Sequence, residues 1–110
     1  MITAEFIINK LNNAKALRDL NVWGINYAEM QVVKYRLYGY QRVNEGTQTN
    51  PKFVEYAEVE DEGIYKNITL PNIYETSDDA RNELIKYINK KIAELDNHIA
   101  ILKMRKYNED

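Results

Sequence analysis

Cysteine is absent from this chain of 110 residues, and histidine, serine and tryptophan each occur once, as His98, Ser77 and Trp23. Without thiols there can be no disulfide framework, no thiolate zinc site and no cysteine nucleophile. Four glycines, at 24, 39, 46 and 63, are too scattered to write a phosphate-cradling loop or a dinucleotide fingerprint. One histidine without cysteine offers no metal-ligand spacing, and Ser77 is explained as a helix cap. These absences exclude the common catalytic signatures. The expectation is a protein that is not an enzyme and takes no metal and no cofactor.

Long apolar runs are also missing. No segment approaches the roughly 20 residues of a membrane span, and the opening MITAEFIINKLNN lacks the basic-then-apolar order of a signal peptide. The reading is a cytoplasmic protein with no membrane partner. A net charge of −2 rules out a broad basic coat for nucleic acid but leaves room for a local basic patch. Apolar residues make up 45% and charged residues 29%, which are globular values. A chain of this length is one domain, 1–110, and buries about 65% of its unfolded surface.

What is present is regular patterning. Thr3 is a candidate N-cap, with Ile2 and Ile7 placed to staple the entry of a helix over about 3–20. Ala4, Ile7, Leu11 and Ala14 share its apolar face, widened by Phe6, Ile8 and Leu17. Residues 21–29 read as a connector that turns at Gly24 and carries Trp23. Strict alternation then predicts a strand over about 30–43. The stretch 44–51 is loop chemistry, with Asn44, Gly46 and Pro51 as breakers. Further strands are expected at 53–60 and 64–70, joined by a short turn with a bulge at Gly63 and ended by Pro71. The fold class is α+β, a small two-layer α-β-β-β-α domain with an antiparallel three-stranded meander.

Pairing positions whose numbers sum to 96 gives a definite hairpin. On one face Leu37 meets Val59, Gly39 meets Ala57 and Val43 meets Phe53. On the other Arg36 meets Glu60, Lys34 meets Glu62, Tyr38 meets Glu58 and Tyr40 meets Tyr56. One face is then apolar, and the other gains charge and aromatic pairs. The Gly39–Ala57 pair would leave a trough for a helix.

The clearest signal lies at the C-terminal end. Thr76-Ser77-Asp78-Asp79 opens a helix that runs to about 106. Within it Ile85, Ile88, Ile92, Leu95, Ile99 and Leu102 recur at spacings of three and four, a heptad seam with Ile at each a position. Such a helix is about 45 Å long, whereas a three-stranded sheet is only about 15 Å wide and about 25–30 Å along its strands. The seam either packs on the chain's own sheet and first helix or pairs with a second copy. A further apolar set, Leu84, Ala100, Ile101 and Met104, gives the helix two stripes and favours a homodimer built on a coiled coil.

Two other clusters can carry function. Arg36, Tyr38, Tyr40, Arg42 and Tyr56 form a candidate ligand or partner surface, with Tyr65 and Lys34 beside them. Tyr and Arg are enriched at protein interfaces, and they also stack and neutralise single-stranded nucleic acid. The acidic run Glu55, Glu58, Glu60, Asp61, Glu62 lacks the calcium-loop pattern. It reads mainly as cross-strand partners for Lys34, Arg36 and Lys66, with phosphate mimicry as a further reading. A further reading is an enzyme working from carboxylates alone, such as Glu58 and Glu60 on one strand face. His98 flanks the seam as a solvated helix residue.

The expected function is therefore a non-catalytic binding protein, dimeric through the association helix, with a host protein as partner. Richness in Asn, Ile, Lys and Tyr fits AT-biased coding, and with it an accessory protein of a phage or mobile element that inhibits or bridges a host protein in an anti-defence role. Nucleic-acid binding on the Tyr/Arg face is the alternative.

Overall fold

The computed structural model describes residues 2–106; the two ends of the 1–110 domain assignment, residue 1 and residues 107–110, lie outside the described residues. The order of elements is helix α1 (Ala4–Asn13), a 3-10 turn (Leu17–Leu20), strands β1 (Asn21–Asn26), β2 (Gln31–Asn44), β3 (Phe53–Asp61) and β4 (Ile64–Thr69), a second 3-10 turn (Leu70–Asn72) and helix α2 (Ser77–Lys106). The strands form one antiparallel sheet in the order β1-β2-β3-β4. The α+β class and the long C-terminal helix are as the sequence predicts. The strand number is not, because the connector at 21–29 supplies a fourth.

β1 escapes the sequence reading because Gly24 reads as a turn. In the sheet it faces Val33, and the ring of Tyr35 stands where its side chain would be, 2.7 Å from the position of a Cβ. A glycine in a strand marks close approach rather than a bend here. The outer edge of β1 is closed by Tyr74: Trp23 N–H donates to Tyr74 O at 3.0 Å and Tyr74 N–H donates to Trp23 O at 2.8 Å. β1 and β2 are joined through residues 27–30, where Asn26 Oδ1 accepts from Glu29 N–H at 3.2 Å and Met30 takes a φ of 54°.

The first helix is also shorter than the expected 3–20. Thr3 caps it as predicted, its hydroxyl accepting from Phe6 N–H at 3.2 Å. It ends at Asn13 because Asp19 reaches back to accept from Lys15 N–H at 3.1 Å and Ala16 N–H at 3.2 Å. A local side-chain acceptor thus replaces the next helical turn with a 3-10 turn.

β2 is the spine of the sheet. Its 14 residues run about 47 Å, pairing with β1 over Gln31–Arg36 and with β3 over Arg36–Asn44. The two hairpins overlap only at Arg36, and the core gathers beside that overlap. Ile2, Ile7, Val22, Tyr35, Leu37, Ala57, Val59, Leu70 and Ile73 form one buried cluster, covered by α1.

Two of the seven predicted β2–β3 pairs are observed. Arg36 pairs with Glu60 and Leu37 with Val59, on the expected sum. A bulge between Leu37 and Gly39 then slips the rest by one, so Gly39 faces Glu58, Tyr40 faces Ala57 and Val43 faces Val54. The expected pairs Tyr38–Glu58, Gly39–Ala57, Tyr40–Tyr56 and Val43–Phe53 are corrected accordingly. The extra residue is needed because two continuous hydrophobic faces cannot both be served by strict alternation along a strand this long and twisted. No trough forms at Gly39, since the Glu58 side chain lies over it.

The β3–β4 turn holds no bulge. Asp61 pairs with Ile64 across two residues, Glu62 at φ 49° and Gly63 at φ 84°, the positive-φ pair of a tight hairpin turn. Glu62 therefore lies in the turn and does not pair with Lys34. The β2–β3 connection is closed by Asn44, whose Oδ1 accepts from Gly46 N–H at 2.9 Å and Lys52 N–H at 3.0 Å.

Leu37 is fully buried at the centre of the core. Leu37→Ala is expected to lower unfolding stability by about 2–5 kcal/mol, the range for a large-to-small core change. The check is the shift in urea midpoint with an unchanged slope.

Candidate functional site

Helix α2 starts at the β1 edge. Thr76 is its cap, the hydroxyl accepting from Asp79 N–H at 3.1 Å, and Asp78 and Asp79 occupy the first turn. Ala80 and Leu84 are buried, Tyr87 and Ile88 are half-buried, and the helix contacts β1 and β2. The ring of Tyr87 meets that of Tyr27 edge-on, with centroids 4.6 Å apart. Past Ile88 the attachment ends. Every residue from Asn89 to Arg105 is exposed.

The apolar seam runs straight into this free segment. Ile92 is 52%, Leu95 61%, Ile99 50% and Leu102 64% exposed, and Ile85 at the root of the helix is 48% exposed. Ile101 and Met104 of the second stripe are exposed as well. Apart from the half-buried Ile88, the seam is therefore not covered by the sheet or by α1. A radius of gyration of 19.5 Å, against about 13 Å for a compact chain of this length, records the same projection. Ion pairs along the side of the helix join Lys86 with Glu83 at 3.1 Å in the attached part and Lys91 with Glu94 at 3.3 Å in the free part.

The Tyr/Arg set is divided by the bulge. Arg36, Tyr38 and Tyr56 stay on the outer face, away from α1, together with Glu58, Glu60 and Tyr65. Tyr40 and Arg42 fall on the core side, opposite Ala57 and Glu55. Tyr40 packs against the edge of the core and its hydroxyl donates to Glu55 Oε1 at 3.1 Å. The Arg42 guanidinium lies over the ring of Phe53 at 4.2 Å. On the outer face Arg36 is paired with Glu60, the Tyr56 hydroxyl donates to Glu45, and Tyr38 meets Tyr65 edge-on at 5.1 Å. Two of the outer-face carboxylates, Glu58 and Glu60, stand among the aromatics, one of them already neutralising the arginine. Lys66 is drawn elsewhere, over the ring of Tyr35 at 4.9 Å.

A groove of about 590 Å³, which the sequence reading missed, opens between the start of α1 and the first turns of α2. Phe6, Tyr74, Asp79, Asn82, Glu83 and Lys86 are among its lining residues. Its only trace in the sequence is the polar face of the first turns of α2, because it arises where elements far apart in the chain meet. No group of three or more His, Asp or Glu side chains is placed to hold a metal among the described residues. No helix among them is long and apolar enough to cross a membrane.

Comparison with protein-family models, with curated proteins and with solved structures found no match.

Three phenols are held neutral more firmly than usual. Partial burial raises Tyr40 above 10.0, helped by its bond to Glu55. The hydroxyl bond to Glu45 does the same for Tyr56, and burial beside Tyr27 and Glu83 for Tyr74. A phenol whose folded pKa is raised keeps its proton in the folded chain after the unfolded chain has lost it. The associated stability is full below about pH 10 and declines as pH rises above it. Urea midpoints should fall between about pH 9.5 and 11, and Tyr40→Phe should flatten that fall relative to the native chain.

Proposed function

We propose that this is a non-catalytic binding protein that works as a homodimer, pairing through the projecting part of α2 and presenting its body to a macromolecular partner. The observation that carries the reading is the bare seam. Ile85, Ile92, Leu95, Ile99 and Leu102 are 48–64% exposed along one stripe, and a run of large apolar side chains left open in this way points to an interaction surface. A heptad stripe is best matched by another heptad-patterned helix, and among the described residues α2 itself is the one such helix.

The body is then free to bind something else. Arg36, Tyr38, Tyr56 and Tyr65 supply an exposed aromatic and polar surface of the kind found at protein interfaces. A host protein blocked or bridged by a phage or mobile-element accessory protein is the partner that suits a small dimer of this composition. Nucleic acid is the less favoured partner, because Tyr40 and Arg42 face the core side and glutamates stand within the remaining face.

Light scattering at about 10 µM should give twice the 13.0 kDa mass of the chain. Ile92→Asp should return a folded monomer, since Ile92 is 52% exposed and lies past the attached part of the helix. A native protein of single-chain mass would end the reading. In a separate assay at about 50 mM salt, a single-stranded oligonucleotide should show no salt-dependent binding, and Arg36→Glu should change nothing.

A further inference from the structure

We infer that the second copy joins in parallel and in register, as a two-stranded coil over Ile85–Leu102 that sets both bodies at the same end of a short rod. This rests on the proposed pairing through α2 and adds its geometry. The seam places Ile85, Ile92 and Ile99 at a, Leu95 and Leu102 at d, with Ile88 as the first d residue. Branched Ile at a over Leu at d is the packing that favours two parallel strands, because each side chain enters a hole lined by its own counterpart layer.

The flanking positions point the same way. Position g carries Leu84, Lys91, His98 and Arg105, and position e carries Asn89, Asp96 and Lys103. In a parallel coil each g residue meets the e residue five places further along the other helix. Lys91 then faces Asp96 of the second copy, twice by symmetry. His98 faces Lys103 of the second copy, a contact that adds no attraction. An antiparallel coil that keeps all six layers would set Lys91 against His98, Asn89 against Asp96, and Lys103 against Asn82. It would contain no pair of opposite charge. Lys91 lies 3.3 Å from Glu94 of its own helix, and the reach of its stem allows it to serve Asp96 of the second copy from the same position.

The body leaves this approach open. Leu84, on the g flank at the root of the seam, is buried against the protomer's own sheet, while neighbouring Ile85 is half exposed. The seam is thus free from Ile92 onward, and at its root Ile85 is open while Ile88 is half-covered by the body. Two bodies held at one end would present their Tyr38/Tyr56/Tyr65 faces as a pair, so a partner with two like sites would gain avidity.

The absence of native cysteine makes the test direct. Leu102→Cys and Ile85→Cys chains are prepared singly and as an equimolar mixture, then oxidised with oxidised glutathione as electron acceptor, after the mass of the native protein has been measured. A parallel dimer links position 102 to position 102 in about a hundredfold excess over links between 85 and 102, the ratio of millimolar effective concentration in the coil to about 10 µM in solution. Preferential 85-to-102 links in a protein of dimer mass would overturn the parallel arrangement and leave the pairing intact. A native mass of three or four chains would overturn the two-stranded coil. Single-chain mass would overturn both the coil and the reading beneath it.

Discussion

The structure turns on a mismatch of lengths. A helix of 30 residues spans about 45 Å, and the sheet holds only its first three turns, through Ala80, Leu84 and the half-buried Tyr87 and Ile88. Beyond that point the helix has no support from the body, yet it keeps the apolar stripe. A lone helical segment in water gains little from propensity, and most helices are held by burial of one face. The exposed stripe is therefore the feature that most needs a covering surface, and the functional reading follows from it.

The second constraint is the bulge in β2. A single inserted residue at Tyr38–Gly39 changes which residues of the distal half look inward. It brings Tyr40 onto the core and leaves Gly39 under Glu58. It also takes Arg42 away from Arg36 and stacks it on Phe53. A surface that would have been a continuous Tyr/Arg strip becomes two smaller ones. The outer one is mixed with carboxylates, which suits recognition of a protein better than of a phosphate backbone.

Much of the fold is readable in the residues because local physics agrees with tertiary packing there. Thr3 and Thr76 cap where a hydroxyl before an apolar helix should, and the alternation in Gln31–Leu37 carries through to the observed pairs Arg36–Glu60 and Leu37–Val59. The seam of α2 is legible because its period is long and unbroken. Apart from the end of α1, the misses share one cause: each depends on something distant in the chain. Gly24 is strand and not turn because Tyr35 fills its space and Tyr74 closes its edge. α1 stops at Asn13 through a backward bond from Asp19, a contact that propensity does not weigh. The groove beside Phe6 and Asp79 exists only because two helices meet at that edge.

By itself the sequence determined the kinds of elements, where both helices begin, and the stripe of Ile and Leu along the last one, since each of these is a matter of spacing and caps within a single segment. Tertiary structure alone decided that β1 is a strand, on which face the distal half of β2 looks, and that the stripe stands free of its own body. The physical reason is that exposure and strand facing are properties of pairs of elements. A one-residue slip, or a helix that outruns its sheet, reverses them without changing any local pattern.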